Sequence, residues 1–263
     1  NREMRILLTN DDGINALGLR ILTEYLKRAG HQVIIVAPDR ERSASSHSIS
    51  LKKNLRLTRV QENEYCVDGT PVDCIVVATQ KILTHPVDLV ISGINVGQNM
   101  GEDVLYSGTV AAALEAGLFG YKALAVSINS YQKQNFDAPA SWMVKLLDLG
   151  LDTLIPENGI LNLNFPNVPS EELRGIRLTR TGHRRYYNFI HIIEELDDGF
   201  IYRIGGEAPA WEIESGTDAE AVAENFISIT PLGVSLTLGD AFPAILQWLE
   251  SNNLLHFEKS DAL

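Results

Sequence analysis

The chain has 263 residues, of which 45% are hydrophobic and 21% charged, and its formal charge is −12. A chain this long buries roughly 70–75% of its unfolded surface, so it needs no disulfide or structural metal to hold a core, and its composition excludes a disordered or fibrous protein. The acid excess argues against binding to nucleic-acid polymers or membranes, and an anionic substrate would need a local positive centre, either a metal or a few arginines. Cys66 and Cys74 fit neither a disulfide framework nor a zinc motif and read as reduced thiols of a cytoplasmic protein. No apolar run approaches the ~18 residues of a membrane span. No signal-peptide pattern is visible, and residues 1–3 read as an expression scar before a native Met4.

In chain order, residues 5–9 form a short apolar run that ends in the turn chemistry of Asn10-Asp11-Asp12-Gly13. From Leu17 apolar residues recur at helical spacing, and Gly30 closes that helix. Residues 33–37 are continuously apolar and stop at Pro38, as in a strand covered on both faces. Residues 71–83 read as helix, 87–92 as strand, 108–118 as helix, 123–127 as strand and 139–149 as helix. This alternation predicts βαβ units and an α/β, Rossmann-like, doubly wound, mainly parallel sheet. Beyond residue 161 the pattern changes. Strands are expected at 161–165, 176–179 and 226–229, and helices at 218–224 and 241–249. Residues 186–193 and 200–204 flank Asp197-Asp198-Gly199 as a hairpin. The expectation is one domain, with a core over residues 4–165 and a C-terminal hairpin and helix extension over 166–263 that serves as an oligomerisation arm.

Ligands of open α/β sheets bind beyond the carboxyl ends of the strands, at the topological switch point, so the polar residues that follow strands are the candidates. Asp11 and Asp12 are adjacent carboxylates that repel unless a proton or cation lies between them, and Mg²⁺, Mn²⁺ or Ca²⁺ is the natural partner for oxygen ligands. The same four residues also make an ordinary solvated turn with a helix cap. In the loop over residues 40–48, serine hydroxyls can ligate a metal or donate to phosphate. Arg40 and Arg42 can clamp a phosphate bidentately, and His47 can act as a general acid. A surface loop with internal Arg–Glu pairing fits that stretch too. Residues 93–101, rich in glycine and asparagine, permit close approach to a ligand, with Asn95 as a neutral oxygen ligand or amide donor. Ser107-Gly108-Thr109 opens a helix whose N-terminus is a ready anion site, although Ser107 or Thr109 can equally be its cap.

There is no dinucleotide-binding glycine fingerprint, no Walker A loop, no Asp-x-Asp after the first strand and no Gly-x-Ser-x-Gly elbow. What remains is a metal-and-hydroxyl site that faces an anion. Besides hydrolysis, two other classes use such a site: a metal-dependent glycosyl- or nucleotidyl-transferase and a non-catalytic nucleotide sensor.

Five blocks (MRILLTNDDG at 4–13, APDRERSASSHS at 37–48, VDGTPVD at 67–73, DLVISGINVGQNMG at 88–101 and YSGTV at 106–110) resemble the SurE, or survival-protein-E, nucleotidases, with ISITP at 227–231 adding support. The resemblance covers roughly the first 130 residues in order. It implies a Rossmann-like fold, one divalent metal ion per subunit, and hydrolysis of nucleoside 5′- and in some members 3′-monophosphates or short polyphosphate. It also implies a cytoplasmic homodimer or homotetramer with an exchanged C-terminal element. Carried onto this sequence, it puts metal ligands at Asp11, Asp12, Ser43 and Asn95 and phosphate-side residues at Asn99, Ser107, Gly108 and Thr109. With these ligands in place, Asp11 becomes the candidate general base or water-orienting carboxylate, His47 the candidate proton donor, and Arg42 a substrate contact.

Overall fold

The computed structural model describes residues 2–42, 44–185, 190–205, 210–252 and 254. The first half alternates as read: β1 (Arg5–Thr9), α1 (Leu17–Arg28), β2 (Gln32–Pro38), β3 (Leu57–Gln61), β4 (Glu64–Val67), α2 (Pro71–Val77), β5 (Leu89–Val96), α3 (Gly108–Leu118), β6 (Ala123–Asn129) and α4 (Asp137–Asp148). There follow β7 (Gly159–Pro166), β8 (Ile176–Leu178), β9 (His183–Arg185), β10 (Ile190–Leu196), β11 (Gly199–Ile204), β12 (Ala210–Glu212), α5 (Asp218–Ala223), β13 (Ile227–Gly233) and α6 (Phe242–Ser251). The expected helix over 71–83 is α2 continued by a wider π-helical turn at Ala78–Ile82. Part of the expected strand at 186–193 lies outside the described residues; β10 begins at Ile190 and pairs with β11 around the Asp197–Asp198 turn. The sequence reading missed β3 and β4, an antiparallel pair at one sheet edge, and β9 and β12, which pair outside the main sheet.

Nine strands join in the order β3-β4-β2-β1-β5-β6-β7-β13-β8. From β4 to β7 all neighbours are parallel, while β3 runs antiparallel to β4, and β13 runs antiparallel to β7 and parallel to β8. Alternation along each strand splits the core. Ile6, Leu8 and Ile35 pack with α1 and α4 on one face, and Leu7, Ile34, Val36 and Val90 pack with α2 and α3 on the other. Thr70 caps α2 reciprocally with Asp73, and Ser107 caps α3 by accepting from Val110 N at 3.0 Å.

The chain leaves β1 outward through β2 to the β3–β4 edge, then returns to the other side of β1 as β5. The switch point therefore lies between β1 and β5, where the last residue of β1, Thr9, pairs with Ser92 and β5 runs on to Val96. The β5–β6 register shifts between Ser92 and Asn95, which re-aims the end of β5 just before the glycine-rich loop.

α1 crosses β5 so closely that a Cβ on Gly18 would lie 2.2 Å from the Ile94 carbonyl oxygen and 2.9 Å from the Phe136 ring. Gly18→Ala is therefore expected to destabilise the protein by about 1–3 kcal/mol, read as a fall in Tm, whereas Gly30→Ala, where nothing lies within 4 Å, carries only the cost of its left-handed backbone.

Candidate active site

Two strand ends and one helix start converge on the switch point. Asn10 closes the turn after β1, its Nδ2 donating to the Gly13 carbonyl at 2.8 Å and its Oδ1 accepting from Gly13 N at 3.2 Å. Gly13 has φ +100°, and a Cβ there would stand 3.0 Å from the Arg40 backbone, so this turn needs glycine. The turn presents two carboxylates tied to different elements. Thr109 Oγ1, in the first turn of α3, donates to Asp11 Oδ1 at 2.7 Å. Val96 N, at the end of β5, donates to Asp12 Oδ2 at 3.0 Å. Burial raises the Asp11 carboxyl above its usual range despite the Thr109 hydrogen bond. Burial and then the Asp11 charge push Asp12 up to about 7.

Asn95 is buried, and its Nδ2 donates to the Gly97 carbonyl at 2.8 Å, leaving the side-chain carbonyl as the oxygen to offer a cation. Among the described residues no three His, Cys, Asp or Glu side chains gather in a metal-sized group. The donor set is thus two carboxylates and a neutral amide oxygen, hard oxygen ligands that fit Mg²⁺, Mn²⁺ or Ca²⁺ and not a thiolate- or imidazole-bound metal. Ser43 lies outside the described residues. On either side of it, Arg42 N donates to the Asp11 carbonyl at 2.7 Å and Ala44 lines the same cleft.

That cleft, of about 290 Å³, is lined by Asp11, Asn95, Gln98, Asn99, Ser107 and Tyr106, with Tyr131, Asp103 and Arg184 on its wall. Ser107 faces it while capping α3, and Thr109 is committed to Asp11. Gly108 leaves room that no other residue could, since a Cβ there would lie 2.6 Å from Ser45 Oγ and 3.1 Å from Asp11 Cβ. Asn99 is fixed from beneath. Its backbone N donates to Asn164 Oδ1 at 2.8 Å, and its carbonyl accepts from Asn162 Nδ2 at 2.8 Å and Asn164 Nδ2 at 3.0 Å. Its own Nδ2 donates to Ser127 Oγ at 2.7 Å.

Three expected participants stand elsewhere. Arg42 reaches Asp39 Oδ1 at 3.1 Å and the Asp68 carbonyl at 2.9 Å, and Arg40 is exposed beside Asp39. His47 Nε2 sits 2.7 Å from Glu115 Oε2 and lines a separate small hollow with Leu105, Leu114, Val234 and Leu236. The sequence reading missed Asn162, Asn164, Tyr131, Asp103 and Arg184. The two asparagines carried a usable signal, being polar residues on one face of a strand that is otherwise apolar and buried throughout.

The profile of the family described as Survival protein SurE matches residues 6–188. This chain belongs to that family. It is 42% identical over 252 residues to the 5′-nucleotidase SurE of Vibrio vulnificus strain CMCP6, covering 95% of this chain and 97% of that one. It is 41% identical over 249 residues to the 5′-nucleotidase SurE of Haemophilus influenzae strain KW20, covering 94% and 98%. The crystal structure of the SurE protein from Aquifex aeolicus superposes with a TM-score of 0.82 at 36% identity, over 94% of this chain and 99% of that one. The similarity to SurE proteins thus extends well past the first 130 residues.

Two adjacent carboxylates, one buried and one half-buried, destabilise the fold that carries them when no cation lies between them. Asp12→Asn is expected to melt higher than the wild type in EDTA, by about 1 kcal/mol, and to lose the rise in Tm that added Mg²⁺ or Mn²⁺ gives the wild type. A wild type whose melting ignores divalent cations would remove the metal from this site.

Proposed function

We propose that this protein is a divalent-metal-dependent 5′-nucleotidase that hydrolyses nucleoside 5′-monophosphates to nucleoside and phosphate. The observation that carries the proposal is the meeting of Asp11 and Asn95 with the N-terminus of α3 in one cleft, with Asp12 held next to it by Val96 N, at the switch point of a SurE-family chain. Asp11, Asp12, Asn95 and Ser43 would hold a hard divalent ion, which supplies a Lewis-acidic centre against the phosphate.

The remaining chemistry belongs to the chain. The start of α3, where Ser107 borders the cleft, favours the phosphate oxygens through its dipole. Asn99 stands in the same cleft on a peptide whose N–H and carbonyl are already paired, so its position is set before substrate arrives. Asp11 keeps its orientation through Thr109, which suits a carboxylate that orients the attacking water and takes its proton. As that water's oxygen bonds to phosphorus, the phosphorus–oxygen ester bond breaks and the leaving ribose oxygen gains a proton. His47, held by Glu115 outside the cleft, could donate that proton only after leaving that partner.

Phosphate release from a panel of nucleoside 5′- and 3′-monophosphates and a short polyphosphate, in EDTA and then with Mg²⁺, Mn²⁺ or Ca²⁺ restored, tests the reading. Metal-dependent release is expected from the 5′-monophosphates, and Asp11→Asn is expected to lower kcat by about 10²-fold or more without lowering Tm. A folded protein that binds nucleotide with metal but releases nothing would favour the sensor reading.

We propose further that the chain works in the cytoplasm as a homodimer or homotetramer. No helix among the described residues is long and apolar enough to cross a membrane. Yet α6 buries none of its residues and leaves Phe242, Ile245, Leu246 and Trp248 exposed, and Ile190, Ile192, Phe200 and Tyr202 are exposed on the β10–β11 hairpin. Apolar faces of this kind on a chain of high net charge mark subunit contacts. Sedimentation of Ile245→Asp combined with Trp248→Asp is expected to give a smaller species than the wild type; identical sedimentation would take α6 out of the interface.

A further inference from the structure

Beyond Tyr131 the chain contributes Arg184 to the lining of the cleft, and with it a cation. Among the described residues that line the cleft, Arg184 is the one positively charged side chain, beside the acids Asp11 and Asp103. It lies in β9 and is held on several sides. Its guanidinium pairs with the Asp103 carboxylate and lies 5.2 Å from the ring centroid of Trp211, its cross-strand neighbour in β12. Its backbone N donates to Glu102 Oε2 at 3.0 Å.

Both partners of the pair hang from one buried carboxylate. Asp218, fully buried, accepts from Gly101 N through Oδ2 at 2.9 Å and from Gly182 N through Oδ1 at 2.8 Å. Asp103 stands two residues after the first of these glycines and Arg184 two residues after the second. The two segments touch so closely that a Cβ on Gly101, at φ +53°, would lie 2.6 Å from the Gly182 carbonyl oxygen and 3.0 Å from the Trp211 ring. A residue at the N-terminus of α5 thus sets where the guanidinium stands in a cleft whose other components come from β1, β5 and α3.

Resting on the nucleotidase reading, we propose that Arg184 anchors the substrate's phosphate group, exchanging the Asp103 carboxylate for phosphate oxygens, and that Asp218 is its positioning residue. A guanidinium fork matches two oxygens of either partner. The pair is neutral while the cleft is empty, so Asp103 competes with the phosphate for the same donors. This competition separates a recognition element from a plain structural clamp, because the two partners' variants then act in opposite directions.

The experiment measures kcat, KM and inhibition by inorganic phosphate, using the nucleoside monophosphate cleaved fastest in the panel. Arg184→Gln is expected to raise KM about tenfold or more with kcat changed much less, and to weaken phosphate inhibition in parallel. Arg184→Lys keeps the charge without the fork and recovers part of the loss. Asp103→Asn is expected to lower KM and strengthen phosphate inhibition several-fold. If the Arg184 and Asp103 variants shift KM in the same direction, or neither shifts it, the anchor is overturned. Asp218→Asn is expected to raise KM, and its combination with Arg184→Gln to be no worse than Arg184→Gln alone; additive losses would strip Asp218 of the positioning role. Should the wild type cleave no nucleotide, calorimetric titration of inorganic phosphate into the wild type and Arg184→Gln, with Mg²⁺ present, decides instead. Binding lost in the variant supports the anchor, and equal binding in both, or none to the wild type, overturns it.

Discussion

Two carboxyl groups on consecutive residues just after the first strand, Asp11 buried and Asp12 half-buried, are the constraint around which this molecule is arranged. Asp11 and Asp12 cannot both ionise cheaply in that position, and burial raises both carboxyls. The fold makes the pair tolerable by dividing it between two elements. Asp11 is tied to α3 by the Thr109 hydroxyl, and Asp12 to the end of β5 by the Val96 N–H. Each hydrogen bond therefore does structural and chemical work at once, since it fixes a carboxylate and also draws a sheet edge or a helix start toward the switch point. The close crossing of α1 over Ile94 and the glycines at positions 13 and 108 follow from the same crowding.

A buried loop must find partners for its backbone, and the stretch after β5 shows how this requirement builds a site. Residues 97–101 pass through the interior without a ladder of their own. Asn162 and Asn164 of β7 and Asp218 of α5 supply the missing hydrogen-bonding groups for Asn99 and Gly101. These three side chains come from the second half of the chain, yet they place loop residues that face the cleft. Their polarity, anomalous in a core of aliphatic residues, is explained by the backbone they satisfy.

This division of labour also explains what could be read from the sequence. The strand–helix alternation of the first 150 residues is a local signal, and it located β1, β2, β5, β6 and their helices within a few residues. The turn after β1, Asn95 and the start of α3 were legible because a parallel α/β sheet collects ligands at one edge. The arginines at 40 and 42 adjoin the serine loop in sequence, but Arg42 engages the Asp39 carboxylate and the Asp68 backbone carbonyl, and Arg40 lies beside Asp39. His47 faced similar competition from Glu115, far away in sequence. Arg184 gave no local sign at all. Its place depends on a strand outside the main sheet and on a carboxylate at the start of α5.

The charge balance ties these points together. A chain with a net charge of −12 repels the anion it is proposed to bind, so affinity has to come from positive potential concentrated over a few ångströms. In the function proposed, three sources supply it at one cleft: a cation that the paired aspartates would hold, the N-terminus of α3, and Arg184. The first two follow from the Rossmann-like half and would serve many phosphate esters, because they address only the phosphate and its charge. The third, which would also address the phosphate, stands on the outer wall of the cleft together with Tyr106 and Tyr131. Discrimination among substrates sharing a phosphate must therefore come from that outer wall, since the floor of the cleft presents every one of them with the same donors.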